Sequence, residues 1–401
     1  MLIVPIEQAR AGMRLVMTVI HPQQPDQELL KPGFVLDEAV IDRLRTLGVG
    51  CVYIDYPDLS ELDRYLRPHL SPARQAIYDQ IRSTIAAVQK TARPTVSFAD
   101  YYAATRELIV TLLQNGEHPI YMDILWQRMG EDAVMHATTV AHMALTLGVR
   151  LQTYVVKQRP RLTPRHAREV TNLGVAAMLH DIGKSRLDER LRGYTAIRAP
   201  EEESCRLDWE AHPKIGGDML RNGIEPSAVA AVVQHHEHFD GSGFPAIARR
   251  NAPPRPLAGQ HIHVFARLIL AADLYDRLAT AEDGRRRPPV EILHLMRTRY
   301  WTWVDPYVLE MLPSVVPPFP PGSRLLLSDG STAVVTAIHP DAPYSPTVRR
   351  LDPGDLTLKG DPLRVGAESG IGIEAMGDMR VGEMVRGNGG SGFGVQGSVG
   401  E

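Results

Sequence analysis

The spacing of apolar residues changes several times along the chain, and each change predicts a different kind of structure. The opening residues carry short apolar bursts at Val4-Pro5-Ile6, Leu15-Val16, Leu29-Leu30, Phe34-Val35-Leu36 and Val52-Tyr53-Ile54. Bursts of this length, punctuated by Gly and Pro, predict strands, with one helix over about 37–47. Residues 1–60 are therefore expected to form a small α+β module. From 61 to 115 the period becomes helical, with Ile77, Ile81, Ile85 and Val88 on one face and Leu108, Leu112 and Leu113 on another, which predicts two linking helices.

Long helical patterns dominate from 116 to 312, interrupted by Pro/Arg-rich stretches at 159–165 and 249–256. This region is expected to be the all-α centre of a mainly α protein. After Pro313 the pattern returns to strands, and Asp329-Gly330 is a strong hairpin turn between two apolar runs, so 313–366 is expected to be a β extension. Residues 377–400 contain nine glycines and few large apolar groups. Such a stretch cannot bury enough surface to offset its ordering entropy, and a disordered tail is expected over 367–401.

Composition narrows the class of partner. Across 401 residues, 44 Lys and Arg face 47 Asp and Glu, a net charge of -3, so no general positive field exists to hold a nucleic-acid polymer. A small anionic ligand remains compatible. The two cysteines, Cys51 and Cys205, supply neither a disulfide framework nor a thiolate metal site and fit a reducing, cytoplasmic compartment. No apolar run reaches the roughly 18 residues of a membrane span, and the first residues lack the basic start of a secretion signal, so neither membrane insertion nor export is expected.

The candidate chemistry lies in a series of histidines and carboxylates within helical text: His136, His180-Asp181, His212, His235-His236 and Asp273. Any one of them, such as His136 on its apolar face, reads most simply as a hydrogen-bonded core residue. Together, five imidazoles and two carboxylates in apolar surroundings would be costly to bury unpaired, and metal ions satisfy them jointly. Nitrogen and carboxylate ligands without thiolates suit Fe, Mn, Co or Zn rather than a closed structural zinc site. Their number exceeds the needs of one ion, and an adjacent His-Asp pair lets Asp181 bridge two. Asp132, four residues before His136, is either a further ligand for a third ion or a solvated surface group.

These residues stand in text that resembles the HD-GYP branch of the HD phosphohydrolases. Leu179-His180-Asp181-Ile182-Gly183-Lys184 is similar to the HDIGK signature, and the run from His235-His236-Glu237 through Asp240-Gly241-Ser242-Gly243-Phe244-Pro245 is similar to HHExxDGxGYP. His212-Pro213-Lys214-Ile215-Gly216 resembles the HPxxG segment, and Ala272-Asp273-Leu274-Tyr275-Asp276 resembles ADxxDA. The likeness covers about 129–312. It implies an HD-type helical bundle, metal ligation by His136, His180, Asp181, His212, His235, His236 and Asp273, and a phosphate contact at Lys184, with Asp181 and Lys184 catalytic. It further implies two or three divalent ions, Fe or Mn foremost, and hydrolysis of c-di-GMP to linear pGpG or on to GMP. Diguanylate cyclases carrying GGDEF domains, or motility adaptors, are the protein partners it suggests for the GYP-like loop. Residues 43–55 resemble the domain of unknown function that often precedes HD-GYP domains.

The text departs from the family pattern in several places. Phe244 stands where the tyrosine of GYP is usual, Arg277 where alanine is usual, and the connection 247–261 is long. The usual basic text downstream is represented only by Gly284-Arg285-Arg286-Arg287-Pro288, where Arg285 or Arg287 either grips a phosphate or belongs to a solvated loop. Gly241, Gly243 and Pro245 read as a tight turn under either view. Glu237 and Asp240 either orient His235 and His236 or form a structural ion pair. Two other functions fit the same motifs: a non-hydrolytic c-di-GMP receptor, and an HD phosphohydrolase of another nucleotide.

Overall fold

A computed structural model describes residues 2–6, 9–21, 24–55, 70–90, 98–114, 133–249, 252–282, 287–352, 358–377 and 379–386. At the N-terminus β1 (Leu2–Pro5), β2 (Val19–His21), β3 (Gln24–Leu30), α1 (Glu38–Thr46) and β4 (Cys51–Ile54) follow in order. β1 pairs antiparallel with β4, matching Leu2 to Ile54 and Pro5 to Cys51. Asp37 caps α1 by accepting the Val40 N–H at 2.8 Å. The helix turns Ile41 and Leu44 inward, where Val4, Leu36, Val52 and Ile54 are also buried.

The helical region begins with α2 (Leu70–Lys90) and α3 (Phe98–Gln114), which pack together. Ile77, Ile81 and Val88 are buried, as the helical spacing requires, while Thr84 takes a buried place on the same stripe and Ile85 is half-buried. α3 buries Tyr101, Ala104, Thr105 and Leu108, and Leu113 is 59% exposed. That corrects the expected apolar face: the inward stripe steps by three and four residues through Leu108 towards Leu112, and Leu113 falls beside it.

Next come α4 (Ala133–Arg150), α5 (Gln152–Lys157), α6 (Pro164–Ala167), α7 (Thr171–Leu179), a short 3-10 turn (Ile182–Arg186), α8 (Glu203–Glu210), α9 (His212–Leu220) and α10 (Pro226–Gln234). The hairpin of β5 (Ile247–Arg249) and β6 (Ala252–Arg255) precedes α11 (Val264–Leu278). α4, α7 and α11 are buried on nearly every side, the mark of helices at the centre of a core rather than on its surface. α4 packs against both of the others, so residues on the three helices meet in the interior. α12 (Pro289–Thr298) and α13 (Pro306–Val315) complete the helices of this region.

The chain then forms β7 (Arg324–Leu327), β8 (Thr332–Ala337), β9 (Thr347–Leu351), β10 (Leu358–Arg364), β11 (Ile373–Met376), β12 (Met379–Arg380) and the short α14 (Gly382–Arg386). The strands make one six-stranded sheet in the order β10-β9-β8-β7-β11-β12. Gly330 closes the β7–β8 hairpin with a φ of +81°, a conformation that favours glycine, and Asp329 accepts the Ser331 N–H. β11 corrects the boundary expected at 366: Ile373 and Ala375 are buried, and β11 pairs with β7 on the side opposite β8. The cost of ordering this Gly-rich text is offset by pairing along β7 and by burial against Phe319, Leu325 and Leu327. Residues 387–401 of the expected tail lie outside the described residues.

The chain divides into two compact units. One contains Met1–Tyr65, Pro288–His294 and Pro317–Glu401, so the N-terminal strands and the six-stranded sheet share a unit; the other contains Leu66–Arg287 and Leu295–Val316. The architecture is mainly α, with a small N-terminal α+β module and a C-terminal β extension.

Within the helical unit a buried ion pair ties α11 to the start of α13. Arg267, 2% exposed, donates to Asp305 at 2.5 Å, to the Tyr154 hydroxyl at 2.7 Å and to Gln158 at 2.9 Å. Removing one member of such a pair strands the other charge in the core. Asp305→Ala should therefore lower unfolding stability by about 3–5 kcal/mol, read from the urea midpoint. The double change Arg267→Met with Asp305→Leu should recover most of that loss.

His263 caps α11 through Nδ1, which accepts the Phe265 N–H at 3.2 Å and must be unprotonated to do so. Burial pushes its pKa from 6.5 down to about 4, and Arg159 and Arg267 act in the same direction. Between those values the unfolded ring binds a proton and the folded ring does not, so stability falls as pH drops from 6.5 towards 4. His263→Asn, which keeps a capping acceptor, should flatten part of that acid slope in urea titrations across the window.

Candidate metal centre

The residues of the cluster are delivered by helix ends and by the buried faces of helices. His136 stands in the first turn of α4, and Asp273 lies on α11. His180 ends α7 and Asp181 opens the 3-10 turn that follows, so the pair sits at a sharp change of direction. His212 begins α9, while His235 ends α10 and His236 follows it. The turn after Asp181 approaches α9 so closely that a Cβ on Gly183 would lie 2.0 Å from the His212 carbonyl oxygen. Glycine at this position lets Asp181 and His212 share one site.

Asp181 is the common member of two groups. Its Oδ1 lies 3.3 Å from His212 Nε2 and 3.6 Å from His235 Nε2, and His236 completes that group. Its Oδ2 lies 3.8 Å from His136 Nε2 and 3.6 Å from His180 Nε2. His136 Nε2 is also 3.0 Å from Asp273 Oδ1 and 3.2 Å from His180 Nε2. The structure thus brings together all seven residues singled out as ligands. Asp132 and Arg285 lie outside the described residues.

Each tautomer has an identifiable cause. Nδ1 of His180, His212 and His235 faces the carbonyl oxygen three residues earlier, that of Ala177, Trp209 and Val232, at 2.7, 2.7 and 2.6 Å. A carbonyl only accepts, so Nδ1 carries the hydrogen and Nε2 presents a lone pair to the cluster. Burial lowers the pKa of His180 to about 3 and of His212 to about 4, keeping both rings neutral near pH 7. In the group on the Oδ1 side, His212 Nε2, His235 Nε2, both ring nitrogens of His236 and Asp181 Oδ1 are buried without a hydrogen-bond partner. One nitrogen of the neutral His236 ring carries a hydrogen and the other atoms are acceptors; leaving them buried and unpaired is unfavourable, and a divalent ion resolves it for the acceptors. The donor set fits the metals expected from nitrogen and oxygen ligands.

The group on the Oδ2 side, with His136, His180 and Asp273, is surrounded differently. Lys184 Nζ donates to Asp181 Oδ2 at 2.8 Å and to the Tyr194 carbonyl at 3.2 Å. Burial lowers the Lys184 pKa, with Asp181 opposing the effect. Burial works against ionisation of Asp181, but Lys184 and the neighbouring rings outweigh it and hold the carboxyl well below the usual range. Arg277 donates to Asp181 Oδ2 at 3.1 Å and to Asp273 Oδ1 at 3.3 Å.

Asp276 and Arg277 belong to the site although they were not among its expected members. Asp276 accepts from His136 Nδ1 at 2.5 Å, the orienting role that carbonyls play for three other rings. Its signal was present: Asp276 stands three residues after Asp273, on the same helix face.

The loop carboxylates have a different role from either expected one. Glu237 Oε2 accepts the Leu257 N–H at 2.8 Å, and Asp240 accepts the Ser242 N–H at 2.9 Å. They hold the loop and its long connection; the orientation of His235 comes from Val232. Burial raises the Glu237 pKa to about 7. The connection returns to the loop at Gly259, whose N–H donates to the Phe239 carbonyl at 2.8 Å. Gly243 fits where a Cβ would stand 2.2 Å from the His236 carbonyl oxygen. Phe244 stacks on His236 with centroids 4.6 Å apart, so ring packing is retained without a tyrosine hydroxyl. Arg287 donates to the Leu278 and Thr280 carbonyls at 2.8 and 3.2 Å, where it caps the end of α11.

Residues 149–308 match the HD_5 model of the HD domain. A cyclic di-GMP phosphodiesterase of Thermotoga maritima is 29% identical over 125 residues, 30% of this chain and 31% of that protein. The cyclic di-GMP phosphodiesterase response regulator RpfG of Xanthomonas campestris pv. campestris is 31% identical over 117 residues, 28% of either chain. A 3'3'-cGAMP-specific phosphodiesterase 3 of Vibrio cholerae is 29% identical over 137 residues, 33% of this chain and 26% of that protein. Each match thus spans less than a third of the relative's length. Residues 149–308 are thus similar to HD domains, and the residues gathered around Asp181 stand in text that resembles the HD-GYP branch.

Proposed function

We propose that the helical unit is a metal-dependent phosphodiesterase that opens c-di-GMP to linear pGpG, with GMP as a further product if both diesters are cut. The observation that carries this reading is the buried group of partnerless acceptors formed by His212 Nε2, His235 Nε2, His236 and Asp181 Oδ1. The names of the relatives supply the substrate class, and the histidine and aspartate donors favour Fe or Mn in at least two positions.

Divalent ions held by these residues supply Lewis acidity, a water nucleophile available near neutral pH and neutralisation of phosphate charge. His180, His212 and His235 offer Nε2 because their Nδ1 hydrogens are held by backbone carbonyls. Asp181 turns one oxygen to each group of rings and so sets the spacing between them. Lys184, now on Asp181 Oδ2, is placed to transfer part of its hydrogen bonding to a non-bridging phosphate oxygen. The stacked Phe244 and the buried Trp209 exclude water from the His212 and His236 side of the cluster.

Protein purified without oxygen and loaded with Fe or Mn should hydrolyse c-di-GMP, and Asp181→Ala should lower the rate at least about a hundredfold with reduced metal content. Running 3'3'-cGAMP beside it separates the two cyclic dinucleotide specificities among the relatives. Failure to turn over either substrate at full metal occupancy, with c-di-GMP still bound, would replace the enzyme by a receptor. Lys184→Ala should lower kcat by about 100- to 1000-fold while metal content, counted by elemental analysis, stays at the wild-type level.

A further inference from the structure

The two groups of ligands that share Asp181 differ in how their charge is met within the protein. Around Asp181 Oδ1 the acceptors of His212, His235 and His236 are buried and lack a donor. On the other side, the Arg277 guanidinium spans Asp181 Oδ2 and Asp273 Oδ1 at 3.1 and 3.3 Å. Those oxygens belong to the His136, His180 and Asp273 group. The guanidinium thus already provides a cation at the two carboxylates that a second metal would need. Its planar fork matches two carboxylate oxygens, and it carries its charge at every accessible pH.

We propose that Arg277 is an internal counter-ion that makes the two metal positions unequal. The position formed by His212, His235, His236 and Asp181 Oδ1 fills first. The position formed by His136, His180, Asp273 and Asp181 Oδ2 fills only when the ion displaces Arg277 from both carboxylates. This inference rests on the metal reading of the cluster but concerns the order and strength of filling, which turnover alone does not report.

The reasoning is electrostatic. An ion entering the Asp273 side must break the two charge-assisted hydrogen bonds of Arg277, compete with Lys184 for Asp181 Oδ2, and then sit beside the displaced positive charge. An ion at either position relieves unpaired ring acceptors, but one entering the His212 side breaks no charge-assisted hydrogen bond. A guanidinium freed in this way stays on α11 beside the cluster, where a phosphate is its natural next partner.

The test is a titration of the metal-free full-length protein with Mn(II), following free Mn(II) by electron paramagnetic resonance. Wild type should bind one ion tightly and a second at least about tenfold more weakly, the scale on which groups beside metal ligands alter affinity. Arg277→Gln, which keeps hydrogen bonding without charge, should tighten the second ion about tenfold or more and leave the first unchanged. Arg277→Lys, which keeps the charge, should leave the second ion weak. The wild-type curve tests the inequality by itself even if a variant fails to fold.

Two equal sites in wild type, or a second site unchanged in Arg277→Gln, would overturn the proposal and leave the metal reading intact. Absence of bound Mn(II) from wild type and both variants would overturn the metal reading as well.

Discussion

One carboxylate sets the geometry of the centre. Asp181 stands where α7 ends and the next turn begins, with one oxygen facing His212 and His235 and the other facing His136 and His180. A carboxylate in that position needs neighbours on both sides, which requires α4, α7, α9, α10 and α11 to converge. The close contact at Gly183 brings α9 near, and the burial of α4 and α11 on nearly every side holds His136 and Asp273 in the interior. The fold is in this sense arranged around the reach of a single side chain.

The charges around the centre form two regimes. On the His212 side the acceptors have no protein donor, so the metal-free state carries an unpaid desolvation cost. On the Asp273 side, Arg277 and Lys184 meet the carboxylates directly. Two positions built from similar side chains therefore need not be chemically equivalent. The difference arises from a residue that supplies no metal-ligating lone pair.

Much of this site was legible in the sequence, for a physical reason. Five histidines with two carboxylates in apolar helical text are too costly to bury singly, and that cost pointed to joint ligation before any residue was placed in space. Contacts across long separations were not legible in the same way. Arg277 stands out in the sequence as a departure from a pattern, but its contact with Asp181 spans 96 residues and arises only when α11 packs near the turn after α7. The supports of His180, His212 and His235 were hidden because they are backbone carbonyls, identical in every residue type. The strand at Ile373–Met376 was obscured by nearby glycines, since its stability comes from β7 rather than from local preference. Short strands record their partners poorly in their own residues.

The use of backbone carbonyls to hold three of the rings has an evolutionary consequence. An orienting side chain can be lost by one codon change, whereas the carbonyls of Ala177, Trp209 and Val232 survive any substitution that preserves the local helical path. Selection on these three positions then acts through shape and packing rather than through the chemistry of an orienting side chain. The positions whose side-chain chemistry must be kept are fewer than the groups that do the work, so a centre of this kind tolerates more change around it than its number of contacts suggests.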